Sequence, residues 1–538
     1  MRASARYRHR ALYAAALVLA CTLLYAAGCR QTPRHHAAAD ITLLTTNDLH
    51  GRLEPFMVQN EGHAQSAGGF SALAACMDMW AQQAPGAVLR LNSGDTLAGP
   101  YAVHFGGAAL FGALGLMGMD AAVPGNHEFD RGPREFARAL DHCPFPMVAT
   151  NMEIAPGHAL AGRIQPVIVL ERCGARLLIA GFMTPELAYI SSPGSGIRIL
   201  DPASPHMRRR ITDAIKQHSP DLVIALTHLG LEEDRRLAQS IPELDVICGG
   251  HSHDLLPAGQ EVRVRHAGGR QTVIVQAGAG GAALGVLRIR AAAGAQPQYT
   301  WLPQKIDSSS GQSPRLQEFI ARYRAQLPPV RVLTVSDTAI DCRGATLRSR
   351  EAPIGNYIAD SLREYCGTDV ALYNGGGIRG DCVVPEGPVT NRDIETMLPF
   401  DNMAVVISMT GDELRQVLER SVGHLPLPWG GFLQVSGLNV RVDPQAQAGS
   451  GKRIAHVDVR RDGGLSSPLE GGRRYRVATN SFLARGGNGY HEFSRSRAEP
   501  SAGTAVRDII MQRMSAQPRL ALAADGRINM TTAPAQKR

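Results

Sequence analysis

The chain has 538 residues, more than one hydrophobic core accommodates and enough for two or three domains. Its formal charge of +8 is modest for that length, and Arg2, Arg6, Arg8 and Arg10 alone carry half of it. The balance left on the rest of the chain excludes a nucleic-acid polymer as the expected partner.

Those four arginines precede ALYAAALVLACTLLYAAG, an apolar stretch of signal-peptide length. Ala26-Ala27-Gly28-Cys29 then resembles a bacterial lipoprotein cleavage box. It implies a signal over residues 1–28, a lipid on Cys29, and a protein held by that lipid to a membrane of the periplasm or cell envelope. Ala26 stands where leucine is more usual, so cleavage nearby by an ordinary signal peptidase stays open, as does an uncleaved anchor. All three readings export the remainder of the chain. Residues 29–39 read as a polar tether, with His35 and His36 solvated. The remaining cysteines, Cys76, Cys143, Cys173, Cys248, Cys342, Cys366 and Cys382, are sparse and odd in number, with no CxxC spacing. An oxidising compartment favours a disulfide among the last three, with connectivity left open.

From Ile41 to about Arg290 apolar runs alternate with helix-like segments such as FSALAACMDMWAQQ and HMRRRITDAIKQH. This alternation predicts a multilayer α/β domain over residues 40–310. SPRLQEFIARYRAQL has helical periodicity, Ser313 at its N-cap and a stop at Pro328-Pro329. It predicts a connecting helix within residues 311–329. A second domain is expected over 330–530, with helices at IGNYIADSLREYC and TGDELRQVLERSV and strands at FLQVSGLNVRV and RRYRVATNSFL. Residues 531–538 read as a tail.

Five apolar runs in the first half end in metal-ligand residue types: ITLLTTNDLH, VLRLNSGD, AAVPGNHEFD, DLVIALTHLG and LDVICGGHSH. Short apolar runs of this kind read as core strands, and α/β sheets do their chemistry beyond strand carboxyl ends. The candidates are Asp48, His50, Asp95, Asn126, His127, His228, His251 and His253. Asp48 and His50 are two residues apart, as are His251 and His253. An extended strand end would turn both members of each pair to one side. Gly94 allows a sharp turn before Asp95, whose carboxylate suits a bridge between two ions. Singly, each has a plainer reading as a surface histidine or a helix cap. Together, oxygen and imidazole donors suit two divalent ions, whose identity among Zn, Mn and Co such ligands do not fix.

The ordered series D-x-H, G-D, G-N-H-E, H, G-H-x-H is similar to that of the calcineurin-like metallophosphoesterases. The resemblance implies one metal held by Asp48, His50, Asp95 and His253, and a second by Asp95, Asn126, His228 and His251. It also implies that His127 contacts phosphoryl oxygens instead of metal, with Asp130 orienting it and keeping it protonated. Glu128 reads as structural. Two-metal hydrolysis of a phosphoester by an activated water follows from that assignment.

In the second half, LRSREAPIGNYIADSL, YNGGGIRGD, LPFDNMAVV, GGFLQV and NSFLARGGNGY resemble the C-terminal domain of the 5′-nucleotidases. With the metal motifs, the likeness runs from Ile41 to about Asn529. It implies an αββα phosphoesterase sandwich joined by a helix to a smaller α/β substrate-binding domain, which rotates to deliver substrate about a hinge near residues 313–327. Arg348 and Arg379 match phosphate-binding arginines, a task suited to the planar guanidinium fork. Arg343 lies near a third, displaced by a residue. Phe400 and Phe482 match the rings that sandwich the base, and Asn374, Asn402 and Gly430 match contacts to it. Two positions depart from the pattern. Asn488 replaces an aspartate expected at the ribose hydroxyls, and Asp401 replaces a glycine after the phenylalanine.

These features imply a hydrolase that removes phosphate from 5′-nucleotides, with the pyrophosphate bonds of UDP-sugars or dinucleotides as further targets. The nearest alternative is a 2′,3′-cyclic-nucleotide 2′-phosphodiesterase/3′-nucleotidase. The thiosulfohydrolase of sulfur oxidation shares the architecture, but the Phe400/Phe482 pair and the GNHE motif argue against it. An inactive nucleotide-binding surface protein is the alternative of a different class.

Overall fold

The structure is a computed structural model that describes residues 39–60, 63–291, 296–460, 465–499 and 503–530. The expected signal, Cys29, the tether histidines and the tail lie outside the described residues.

The first half forms two stacked sheets. One has seven strands in the order Gln298–Lys305, Ala283–Ala291, Ala39–Thr46, Ala87–Asn92, Ala121–Ala122, Met147–Val148, Ile164–Gln165. The other has six, in the order Val262–Arg265, Gln271–Val275, Val246–Cys248, Leu222–His228, Ala175–Met183, Val167–Arg172. Period-two alternation explains the layering. Leu177 and Ile179 of one strand face the core between the sheets. Leu178, Ala180 and Phe182 of the same strand face outward. There they meet Met207 and Ile211 of the helix Pro205–His218 and Leu237 of Leu231–Ser240. The helices Phe70–Gln83 and Ala108–Leu116 cover the first sheet. This is the expected αββα sandwich.

The helix Pro314–Gln326 begins after Ser313, but that side chain makes no capping bond, and its backbone N–H is held by Ser71 Oγ. Leu316 and Ile320 bury into the core of the first half. The helix therefore packs as part of the sandwich.

The second half is built on a five-stranded sheet, ordered Leu433–Ser436, Val370–Asn374, Arg474–Asn480, Ala404–Thr410, Arg497–Ala498. Val370 and Leu372 face one cluster, Ala371 and Tyr373 the other. Helices cover both faces: Gly411–Val422, started by a Thr410/Glu413 capping box, and Pro353–Cys366. Two expected strands are shorter than read. FLQVSGLNVRV breaks at Gly437, where φ is 77°. RRYRVATNSFL leaves the sheet at Asn480, whose side chain caps the short helix Ser481–Ala484. Phe482 thus sits on a helix.

All seven described cysteines are free thiols, so the expected disulfide is not formed. The fold does bring two of the last three together. The strands Ile340–Asp341 and Val383–Val384 run antiparallel, and the Cys342 N–H donates to the Cys382 carbonyl at 2.9 Å.

Candidate active site

Each candidate ligand stands at or just beyond a strand. His228 ends Leu222–His228, and Asp48, Asp95, Asn126 and His251 follow their strands by a few residues. The pairs do not converge by the extended geometry expected of them. Asp48, His50, Asp95, His251 and His253 have φ of 50°, 47°, 55°, 82° and 61°. These are left-handed conformations that cost non-glycine residues energy and cluster at functional sites. Tight turns, and not strand pleat, aim the side chains.

The turns brace one another. Asp48 N–H donates to Gly94 O at 3.0 Å and His50 N–H to Asp95 O at 2.9 Å. His251 N–H reaches Asp48 Oδ2 at 2.9 Å. At Gly94 (φ 86°) a Cβ would stand 2.9 Å from His228 Nδ1 and 2.7 Å from Gly125 N, so only glycine fits. The buried Glu128 carboxylate accepts the N–H groups of Asp95, Thr96, Leu97 and Gly125 at 2.5–3.1 Å. It locks two ligand-bearing loops together, the structural role expected of it.

Three groups of donor atoms converge: Asp48, His50 and His253; His50, Asp95 and His127; and Asp95, His228 and His251. His127 lies nearer the cluster than expected, with Nε2 3.7 Å from Asp95 Oδ2. The donor set fits divalent cations. Asp48 Oδ1 is buried with no hydrogen-bond partner among the described residues, 3.4 Å from His253 Nε2 and 3.9 Å from His50 Nε2. His50 Nε2 and His253 Nε2 face each other at 3.0 Å. His228 turns Nδ1 to Ser93 O at 2.8 Å, leaving Nε2 3.2 Å from Asp95 Oδ2 and 3.2 Å from Asn126 Oδ1. A backbone carbonyl behind one ring nitrogen is the usual support for a metal-binding imidazole. Burial and the neighbouring His228 push His251 down to about 3, keeping the ring neutral with one nitrogen lone pair available to a cation. Burial opposes charge on His228 too, yet Asp95 and Asp48 drive it up to about 10. The carboxylates demand positive charge at this spot, which cations also supply.

The second half closes over this centre. His127 Nδ1 lies 2.5 Å from Asp130 Oδ2, and Ser191 Oγ donates to Asp130 Oδ1 at 2.9 Å. Arg379 Nη2 reaches His127 Nε2 at 2.8 Å. Phe400 stacks on the His127 ring, centroids 5.8 Å apart and planes 15° apart. Asp401, the departure beside it, accepts from Arg131 of the first half at 3.0 Å and from Arg507 at 3.1 Å.

A cavity of about 220 Å³ joins the two halves. It is lined by Asn126, His127, Asp130 and His251 on one side and by Arg348, Arg379, Asn374, Phe400, Asn402, Gly430, Phe482 and Asn488 on the other. All the matched substrate residues thus meet in one space. Gly487 lies flush against the Phe482 ring, leaving no room for a Cβ. Arg348 Nε is buried with no partner among the described residues, and burial and Arg379 push the group down to about 10. A second cavity of about 290 Å³ shares Arg348, Arg379, His127 and Phe400 and opens toward His50 and His253. Arg343 lines neither cavity; its fork is engaged with Asp341 at 2.9 and 2.8 Å. Trp429, Glu186, Ser191 and Ser192, none of them among the residues expected from the sequence, also line the first cavity. Only Trp429, beside Gly430, sat next to a matched motif.

Two family models match the chain: calcineurin-like phosphoesterase over residues 41–255 and 5′-nucleotidase, C-terminal domain over residues 331–495. Protein 5NUC of Lutzomyia longipalpis is 28% identical over 505 residues, covering 84% of this chain and 86% of its own. The 5′-nucleotidase of Mus musculus is 26% identical over 532 residues, covering 92% of each. The crystal structure of a 5′-nucleotidase precursor from Thermus thermophilus superposes with a TM-score of 0.84 at 29% identity, covering 92% of this chain and 100% of that one. With both domains matched in order, the chain belongs to the 5′-nucleotidase family and is a metal-dependent phosphoester hydrolase.

Proposed function

We propose that the protein removes phosphate from nucleoside 5′-phosphates using two divalent cations, with pyrophosphate bonds of UDP-sugars and dinucleotides as further targets. The observation that carries this reading is the single cavity in which Phe400 and Phe482, the Arg348/Arg379 pair and Asn126, His127 and His251 meet. Rings of this kind hold a base without regard to its identity, and the arginines suit phosphate oxygens.

Asp48, His50, Asp95 and His253 would hold one ion, and Asp95, Asn126, His228 and His251 the other. Bound there, the ions would neutralise phosphoryl charge and lower the pKa of the hydrolytic water. The protein's own groups do the rest. Arg348 and Arg379 would fix the phosphate, and Phe400 and Phe482 would hold the base. His127, oriented through Nδ1 by Asp130, presents Nε2 to a phosphoryl oxygen whose negative charge grows during P–O cleavage.

Phe482→Ala separates this reading from a general phosphatase. It is expected to lower kcat/KM for 5′-AMP about tenfold or more and to leave glycerol phosphate hydrolysis unchanged; equal losses on both would overturn it. Running UDP-glucose and 2′,3′-cyclic AMP beside them ranks the remaining targets. Nucleotide binding without turnover with Zn²⁺, Mn²⁺ or Co²⁺ would make the protein a binding module.

Export and lipid anchoring through Cys29 belong to the same proposal and rest on the sequence of residues 1–29. Cys29→Ser is expected to move the protein from the membrane fraction to the soluble one.

A further inference from the structure

The pair formed by His127 and Asp130 has a third member. Asp130 follows the short helical turn His127–Phe129, and its side chain returns to the imidazole with one oxygen, Oδ2, 2.5 Å from Nδ1. The last torsion of an aspartate is soft, and Asp130 lines the first cavity, where water and ligand hydroxyls can compete for its carboxylate. The other oxygen, Oδ1, accepts from the Ser191 hydroxyl at 2.9 Å. With Ser191 on one oxygen and His127 on the other, the carboxylate plane is fixed at both ends.

Ser191 is itself held in place. It follows the helix Leu187–Ile190, its N–H donates to the Leu187 carbonyl at 3.0 Å, and Leu187 is buried in the core of the first half. Ser191 is 7% exposed, with an extended backbone at φ −148° and ψ −161°. Arg131, the cation next to Asp130 in sequence, is engaged by Asp401 and by the Ala102 carbonyl. The chain from Ser191 through Asp130 to His127 is thus built within the first half, and none of its bonds crosses to the second.

We propose that Ser191 is a positioning residue for hydrolysis, holding the Asp130 carboxylate on His127 so that Nε2 meets the phosphoryl oxygen in one fixed orientation. The proposal rests on the reading in which His127 serves that oxygen. Ser191 also lines the cavity, so a direct contact to the substrate is the competing role. The two roles differ in reach. A positioning residue acts through Asp130 on the phosphoryl group that every substrate shares. A substrate contact acts on one ligand and does not need the carboxylate.

The test is steady-state hydrolysis of 5′-AMP and glycerol phosphate with Mn²⁺ by the full chain, Ser191→Ala, Ser191→Thr, His127→Ala, and Asp130→Ala with and without Ser191→Ala. Ser191→Ala is expected to lower kcat about tenfold on both substrates and to change either KM by less than about twofold. Ser191→Thr keeps a hydroxyl and suits extended backbone, so it is expected to recover most of the loss. In the Asp130→Ala protein, removing the Ser191 hydroxyl is expected to cost less than about twofold more. Full activity of Ser191→Ala would overturn the proposal alone, as would a rise in KM confined to 5′-AMP or an undiminished Ser191→Ala loss without the Asp130 carboxylate. Unchanged turnover by His127→Ala would overturn the reading of His127 and the proposal with it.

Discussion

Arg379 of the second domain and His127 of the first meet at 2.8 Å, guanidinium Nη2 to imidazole Nε2. Arginine only donates, so Nε2 accepts here and the imidazole proton sits on Nδ1, facing Asp130. The surroundings pull both ways: burial and Arg379 disfavour the imidazolium, Asp130 and Asp95 favour it, and the net direction is upward. A phosphoryl oxygen placed between the two groups tips that balance toward a protonated His127 contacting the substrate.

Asp130→Asn tests this. If the protonated imidazole is the working form, activity falls as pH rises through its pKa. Removing the carboxylate lowers that pKa, so the alkaline limb of the kcat/KM profile moves to lower pH, with about a 10–100-fold loss near neutrality. An unmoved limb would assign the titration elsewhere.

Arg348→Met separates stability from function. The native Nε is buried with no partner among the described residues, and burial with Arg379 nearby already depresses the group to about 10. Asp381 offsets only part of that, so removing the cation is expected to raise the melting temperature of the ligand-free protein. The same change removes a phosphate contact and is expected to cost about 100-fold in kcat/KM for 5′-AMP. A variant both less stable and fully active would contradict the assignment.

The layers and the ligands were legible because burial writes itself into sequence. In Ala175–Met183 both faces are covered from Leu177 onward, and the run from Leu177 to Met183 is apolar. The route by which ligands converge was not legible. Asp48, His50, His251 and His253 adopt left-handed turns that neighbouring loops impose, and nothing local in Asp or His marks such a turn. Phe482 leaves the sheet because Asn480 caps a helix, a role its strand-like context hides. Ser191 and Glu186 join the site from a loop with no motif, and only the closure of the domains shows them lining it.

The donor cluster predicts that folding and metal binding are linked. Asp95 belongs to two of the three donor groups, so Asp95→Asn is expected to abolish hydrolysis by about a thousandfold. It should also shrink the rise in melting temperature that Mn²⁺ or Zn²⁺ gives the native protein after chelation, since ligands that bind only the folded state stabilise it by mass action. Unchanged hydrolysis in the variant would remove the dinuclear assignment.

Asp234 supplies a stability test away from the reacting atoms. It is fully buried, with Oδ1 accepting from Thr227 Oγ1 at 2.6 Å and Oδ2 without a partner among the described residues. Burial pushes its carboxyl up to about 7, and the Thr227 bond and His228 offset only part of that. The unfolded chain releases this proton near 3.8, so between about pH 4 and 7 the native state holds a proton that the unfolded state has lost. Stability from this residue therefore falls as pH rises through that window, and the loss is complete above it. Asp234→Asn cannot ionise and escapes the loss. In chelator, its melting temperature is expected to exceed that of the native protein at pH 8 and to show no such gain at pH 4. Divalent cations beside His228 favour the ionised carboxylate and should narrow the gap at pH 8. A difference independent of pH would mean that Asp234 is charged in the folded protein throughout.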